Sequence, residues 1–171
     1  MQLVIREESP ADHDPVFEIE REAFDSEVQP RLVERLRETA SPSLSLVAWA
    51  GAEPVGHIFF SPVTLAAAPD RGAAQLSPVA VRRDHQGQGA GSALIREGLA
   101  RCPALGWSSV FLVGNPLYYR RFGFEMAGPR GFSCGGPHDP ALQLIELEAG
   151  ALTGAEGHVA FHPAFAEIDG E

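Results

Sequence analysis

The stretch Leu76-Ser-Pro-Val-Ala-Val-Arg-Arg-Asp-His-Gln-Gly-Gln-Gly-Ala-Gly-Ser-Ala-Leu94 decides how the chain is read. Leu76, Val79, Ala80 and Val81 have the apolar character of a short strand. Arg82 to His85 turn the chain, and Gly87, Gly89 and Gly91 leave the backbone bare. From Ser92 the pattern is helical, with Leu94, Ile95 and Leu99 on one face. The first turn of a helix has unpaired N–H groups and a partial positive charge. Glycines in front of it let an anion approach the main chain. The stretch is therefore a candidate cradle for a phosphate or diphosphate.

Two common phosphate motifs do not fit. The P-loop requires a Gly-Lys-Ser/Thr ending, and this chain contains no lysine. The dinucleotide pattern G-x-G-x-x-G meets Ser92 where its third glycine belongs. It also requires an acidic residue after the next strand, whereas Val110-Phe-Leu-Val113 ends in Gly114 and Asn115.

Gln86-Gly-Gln-Gly-Ala-Gly91 resembles Q/R-x-x-G-x-G/A, the acyl-CoA loop of the GCN5-related N-acetyltransferases (GNAT family). Val79-Ala-Val81 is similar to that family's fourth strand, and Tyr119-Arg-Arg-Phe-Gly-Phe124 to its Y-x-x-L/F-G-F motif. The run Val113 to Phe124, together with Val55-Gly-His-Ile58 and the tail from Leu147 to Phe165, resembles a bacterial subgroup of predicted acetyltransferases. The resemblance implies an α/β (mixed α+β) GNAT fold. Its centre is a mixed, mostly antiparallel twisted sheet of about six to seven strands, splayed between strands four and five and flanked by helices.

Length and composition agree with one domain. The chain has 171 residues, 44% of them hydrophobic, enough for a full core. We expect a single domain over 1–171, with 128–171 as a family-specific extension packed on it. No apolar run reaches membrane-spanning length, and the N-terminus reads as a strand, so a cytoplasmic protein is expected. Cys102 and Cys134 form no C-x-x-C pair, and the six histidines show no ligand spacing, so no metal is expected. A formal charge of −10 argues against nucleic acid and anionic membranes and suits a cationic acceptor such as an amine. It equally serves solubility. A monomer or homodimer is expected.

Strands are expected at Leu3–Ile5, at Leu44–Trp49 with Val55–Phe60 as a hairpin continuing to Leu65, and from Gln75 onward. Others are expected at 108–113, 124–126, 142–147 and 157–161. Helices are expected at about Ala11–Phe24 and Pro30–Glu38, with Val16, Ile19, Glu20 and Ala23 at mixed helical spacing in the first. Pro78 lies inside the central strand and fits an edge, bulge or splay. Asn115-Pro116 caps a short helix, and Gly128 to Pro140 reads as a surface loop beside the site.

By the resemblance, the chain is an enzyme: an acyl-CoA-dependent N-acyltransferase. It would move acetyl from acetyl-CoA (coenzyme A) to a primary amine of a small molecule or peptide by direct attack. A non-catalytic acyl-CoA sensor is the alternative. Gln86, Gly87, Gln88, Gly89, Ala90, Gly91 and Ser92 would bind the diphosphate through main-chain N–H groups. Val79, Ala80 and Val81 would hold the thioester arm. Tyr119 is the candidate acid for the leaving thiolate, or else a packing tyrosine. Tyr118 is assigned to the core, the cofactor or the substrate wall, and Asn115 to a cap or a cofactor contact. An amine with a pKa of about 10.4 must lose a proton before it attacks. His57 is the candidate base, with Glu22, Asp25, Glu27 or a water chain as competitors.

Overall fold

The computed structural model describes residues 2–169. In chain order the elements are β1 (Leu3–Glu7), α1 (His13–Phe24), α2 (Val28–Thr39), β2 (Leu44–Ala50), β3 (Glu53–Leu65) and β4 (Ala73–Val81). Then come α3 (Ala90–Arg101), β5 (Ser109–Val113), α4 (Pro116–Tyr119), β6 (Glu125–Met126) and β7 (Phe132–Ser133). β8 (Leu142–Glu146), β9 (Gly157–Ala160) and α5 (Ala164–Asp169) complete the chain.

Seven strands form one path in the order β1-β2-β3-β4-β5-β8-β6, and β9 joins the far end of β3 while pairing with β7. The sheet thus has nine strands rather than six or seven. Along the path every pairing is antiparallel except that of β4 with β5. β7 lies in the segment expected to be a surface loop. Phe132 is buried there, edge-on to Phe111 with ring centroids 5.4 Å apart. Within the segment from residue 128 onward, β8 lies between β5 and β6 in the sheet.

Each face of the sheet carries apolar side chains at period two, and helices cover them. On one face Leu94, Ile95 and Leu99 of α3 pack with Leu46, Ile58, Phe60 and Leu76. On the other, Val16, Leu32, Val33 and Leu36 of α1 and α2 pack with Val47 and Phe59. Each such buried side chain contributes about 1.5–3 kcal/mol of transfer free energy. α3 lies unusually close to the sheet because Gly98 has no side chain: a Cβ there would be 2.3 Å from Phe60 Cε1. That close seat fixes the glycine loop that precedes α3. Asp25 ends α1 with φ of 49°, a left-handed turn that aspartate tolerates.

Candidate active site

The site begins where two strands part. β4 pairs with β5 only at Ala73–Ser109, Ala74–Val110 and Gln75–Phe111. Pairing of β4 with β3 continues to Val81. Between Phe60–Leu76 and Ile58–Val79 the β3–β4 register slips by one residue, so Ser77 and Pro78 together oppose Phe59 in a bulge. Pro78, which has no N–H, thus falls where the ladder is interrupted. From Leu76 to Val81 the edge of β4 toward β5 has no strand partner among the described residues. Apart from Val81 O, which accepts from Gln86 Nε2, main-chain groups on that edge are free for a ligand.

The parting opens into a cleft of about 430 Å³ walled by Val79, Ala80 and Val81, the loop after them, Tyr118 and Arg121. A 3-10 turn, Arg83–His85, leads into the loop. Gln86 Nε2 donates to Val81 O at 3.0 Å and ties the loop to the strand end. Gly87 and Gly89 hold φ of 76° and 93°, which a side chain would strain. Ala93 N–H reaches Gly89 O at 3.0 Å, so the N–H groups of Ala90, Gly91 and Ser92 precede the first turn's closure. A Cβ on Gly91 would be 3.4 Å from the Tyr118 hydroxyl and 3.7 Å from Val81 Cγ2. Glycine therefore keeps the cleft open opposite Tyr118. The Arg121 guanidinium stacks 4.5 Å from the Tyr118 ring centroid, and its Nε donates to Tyr118 O at 2.8 Å. Against an overall charge of −10, the cleft thus gathers Arg121 and a helix N-terminus. Shape and charge both fit the diphosphate and arm of a coenzyme A thioester.

Val79, Ala80, Val81, Gln86, Gly87, Gly89, Ala90, Gly91, Ser92 and Tyr118 all line this cleft. Gln88 instead turns its Nε2 to Asp84 O at 3.4 Å. Asn115 caps α4, its Oδ1 accepting from Leu117 N–H at 3.0 Å. Of the arginines beside the motifs, only Arg121 borders the cleft: Arg82 donates to Pro54 O and Arg83 lies by Asp25.

Tyr119 seats its ring on Gly114, where a Cβ would stand 2.6 Å from Cε2. It meets Tyr118 edge-on at 5.0 Å and Phe124 at 6.0 Å between centroids. Burial pushes its phenol up to about 12, with a smaller push from Tyr118, so it carries its proton.

His57 is fully buried. Its Nδ1 is 2.7 Å from Glu20 Oε1 and its Nε2 2.8 Å from Ser45 Oγ. With both nitrogens engaged inside the protein, it presents neither to the cleft, and direct proton abstraction by His57 does not fit this geometry. Glu22 Oε2 accepts from Arg83 N–H at 2.9 Å.

Arg121 stands out in the sequence as one of four arginines (Arg82, Arg83, Arg120, Arg121) that flank the two motifs, where positive charge suits an anionic cofactor, whereas His85 and Glu20 were missed. Arg121 follows Tyr118 by three residues, the spacing that brings a guanidinium back over a ring on one helical turn. A glutamate among the apolar spacing of α1 was the sign for Glu20.

The parted sheet, the glycine loop and the tyrosine-bearing helix beside them define an acetyltransferase. Residues 4–127 match the family model of the acetyltransferase (GNAT) domain, and the chain belongs to that family. It is 34% identical over 165 residues to the uncharacterized N-acetyltransferase YhbS of Escherichia coli K12, covering 95% of this chain and 98% of that protein. The crystal structure of Escherichia coli YhbS in complex with CoA matches with a TM-score of 0.90 and 33% identity, over 96% of this chain and 92% of that one. A GNAT family acetyltransferase from Brucella melitensis, solved in complex with acetyl-CoA, matches with a TM-score of 0.79 and 33% identity, over 96% and 98% of the two chains.

Proposed function

We propose that this protein transfers the acetyl group of acetyl-CoA to a primary amine by direct attack. One observation carries the reading: the phosphate-cradling loop, the unpaired edge of β4 and Tyr118 meet at a single cleft, with Tyr119 just outside its lining and edge-on to Tyr118. The N–H groups at the start of α3 bind the diphosphate. Unpaired main-chain groups from Val79 to Val81 hold the thioester arm and polarise its carbonyl. The loop and strand thereby fix the reacting carbon for an incoming neutral amine. Tyr119 protonates the departing thiolate, and Tyr118 walls the cleft opposite Gly91. The acidic surface favours a cationic amine over an anionic acceptor.

Acetyl-CoA at about a hundred times its Kd stabilises such a protein by roughly 2.7 kcal/mol. At this chain length the melting temperature rises by roughly 5–10 °C. NADH gives no shift. Thiol release from acetyl-CoA across a panel of amines identifies the acceptor class. A shift with NADH and none with acetyl-CoA defeats the proposal.

A further inference from the structure

On the sheet face that carries α1 and α2, a file of polar groups runs through the interior. Glu20 on α1 and His57 on β3 are both fully buried, with Oε1 and Nδ1 2.7 Å apart. His57 is the Cα partner of Ala80, which walls the cleft, and α1 packs on both β3 and β4. On its other side, His57 Nε2 is 2.8 Å from Ser45 Oγ, which donates to Glu8 Oε2 at 3.1 Å. Glu8 Oε1 accepts from Arg37 Nε at 2.6 Å, and His13 Nε2 stands 3.5 Å away. Glu8, His13, Arg37 and Ser45 line a second cleft of about 220 Å³ on the surface. The file therefore runs from behind the cofactor strand to solvent. At its inner end Glu20 Oε2 is buried and has no partner among the described residues.

Ser45, His57 and Glu20 have the order of a nucleophilic triad, but that use fails here. The Ser45 hydroxyl has one proton and donates it to Glu8, whose carboxylate opposes any oxyanion formed beside it. A purely structural ion pair accounts for Oε1 and leaves Oε2 an uncompensated cost.

We propose that Glu20, His57 and Ser45 form a proton relay that carries the acceptor amine's proton from the inner side of β4 to Glu8 and solvent. The proposal rests on the reading of the site as an amine acetyltransferase. In the neutral form of the pair, Glu20 Oε1–H faces Nδ1 and Nε2–H faces Ser45. A proton arriving at Oε2 sends the Oε1 proton to Nδ1, the Nε2 proton to Ser45 Oγ and the Ser45 proton to Glu8. One proton enters and one leaves, and the interior gains no charge. Rotation of the carboxyl, imidazole and hydroxyl groups resets the file. The titratable or charged groups that meet it are Glu8 beyond β1, His13 at the start of α1 and Arg37 on α2. β2 and β4 present Val47 and Ala80, which do not titrate. All three relay residues act through the file and are positioning residues.

The test is an isosteric pair, Ser45→Val and Ser45→Thr. Valine fills the space of threonine, excludes water and removes only the hydroxyl. With the best amine from the panel, Ser45→Val lowers kcat about ten- to a hundredfold at neutral pH while KM for acetyl-CoA holds. The deficit closes as pH rises toward the amine's own pKa, where the amine arrives neutral and the one proton it then loses ends on the departing thiol. Ser45→Thr restores the wild-type profile. Independently of any acceptor, the buried His57 N–H protons, followed by NMR, exchange with water about tenfold or more slowly in Ser45→Val than in Ser45→Thr. If Ser45→Val does not fold, Glu8→Gln interrupts the outer end and gives the same pattern. A kcat deficit equal at every pH, wild-type kcat in a folded Ser45→Val, or unchanged His57 exchange overturns the relay. A wild-type protein that binds acetyl-CoA and turns over no amine defeats the acetyltransferase reading instead, and the exchange measurement still decides the proton file.

Discussion

The Tyr118 hydroxyl stands 3.4 Å from the point a Cβ on Gly91 would occupy. One methyl at that point is an ordinary contact, but a branched side chain reaches into the cleft. Gly91→Ala therefore folds and binds acetyl-CoA with a modest loss, whereas Gly91→Val folds and loses binding by about tenfold or more, roughly 1.4 kcal/mol. Calorimetry reads the affinity and melting curves read the fold. Equal affinity in Gly91→Val and wild type places the cofactor elsewhere.

Tyr119→Phe keeps the ring on Gly114 and removes the hydroxyl alone. The expected result is a kcat lower by about ten- to a thousandfold, with KM for acetyl-CoA within a few-fold. Because burial holds this phenol near about 12, wild-type activity has no alkaline limb from Tyr119 at ordinary assay pH. A full kcat in the variant transfers the acid role to Tyr118.

The same raised value fixes a sign in stability. Below the ordinary tyrosine value of 10.0 the phenol is protonated in folded and unfolded chains alike, and nothing is lost. Between there and about 12 the unfolded chain releases its proton first, so stability falls as pH rises across that window. The denaturant midpoint of wild type should fall relative to that of Tyr119→Phe as pH rises from about 9 to about 11. Parallel midpoints would falsify the assignment.

Gly98 lies flat against Phe60. A Cβ there would stand 2.3 and 2.5 Å from two atoms of a ring that is itself fully buried. Gly98→Ala should therefore destabilise by about 1–3 kcal/mol. This holds although alanine improves helix propensity by about 1 kcal/mol. Urea denaturation measures it, and pairing the change with Phe60→Leu should recover part of the loss. A stabilised Gly98→Ala contradicts the close seat of α3.

Removing one member of the Glu20–His57 pair strands the other. Glu20→Leu or His57→Leu alone should cost about 3–5 kcal/mol. The double leucine variant should cost well under the sum, because no polar group is then left buried without its partner. Strict additivity in that cycle means the two side chains do not depend on each other.

What could be read from the sequence was what depends on neighbours in the chain. The glycines after an apolar strand, the Asn115-Pro116 cap and the two-residue period of Leu44 to Leu65 are local patterns, and the structure has the loop, the cap and the strands there. His57 was visible as a polar residue in an apolar strand, but its roles depend on Glu20, 37 residues away, and Ser45 on the next strand. A histidine with unknown partners reads as a base, and with known ones as the middle of a buried file. β7 was illegible for a related reason: two residues have no period, and only pairing with Gly157 and His158 makes Phe132 and Ser133 a strand.

The position of β8 bears on how this chain must fold as it is made. β6 has β8 as its only strand partner among the described residues, and β8 also covers the outer edge of β5. Leu142 and Leu144 of β8 are fully buried. A nascent chain stopped at residue 127, where the family match ends, holds Glu125 and Met126 with no strand to pair with and leaves the edge of β5 bare. Such an edge is a template for association with other chains. The edge of β5 is covered only after about twenty further residues have left the ribosome, so a fragment that keeps this edge paired must extend through β8.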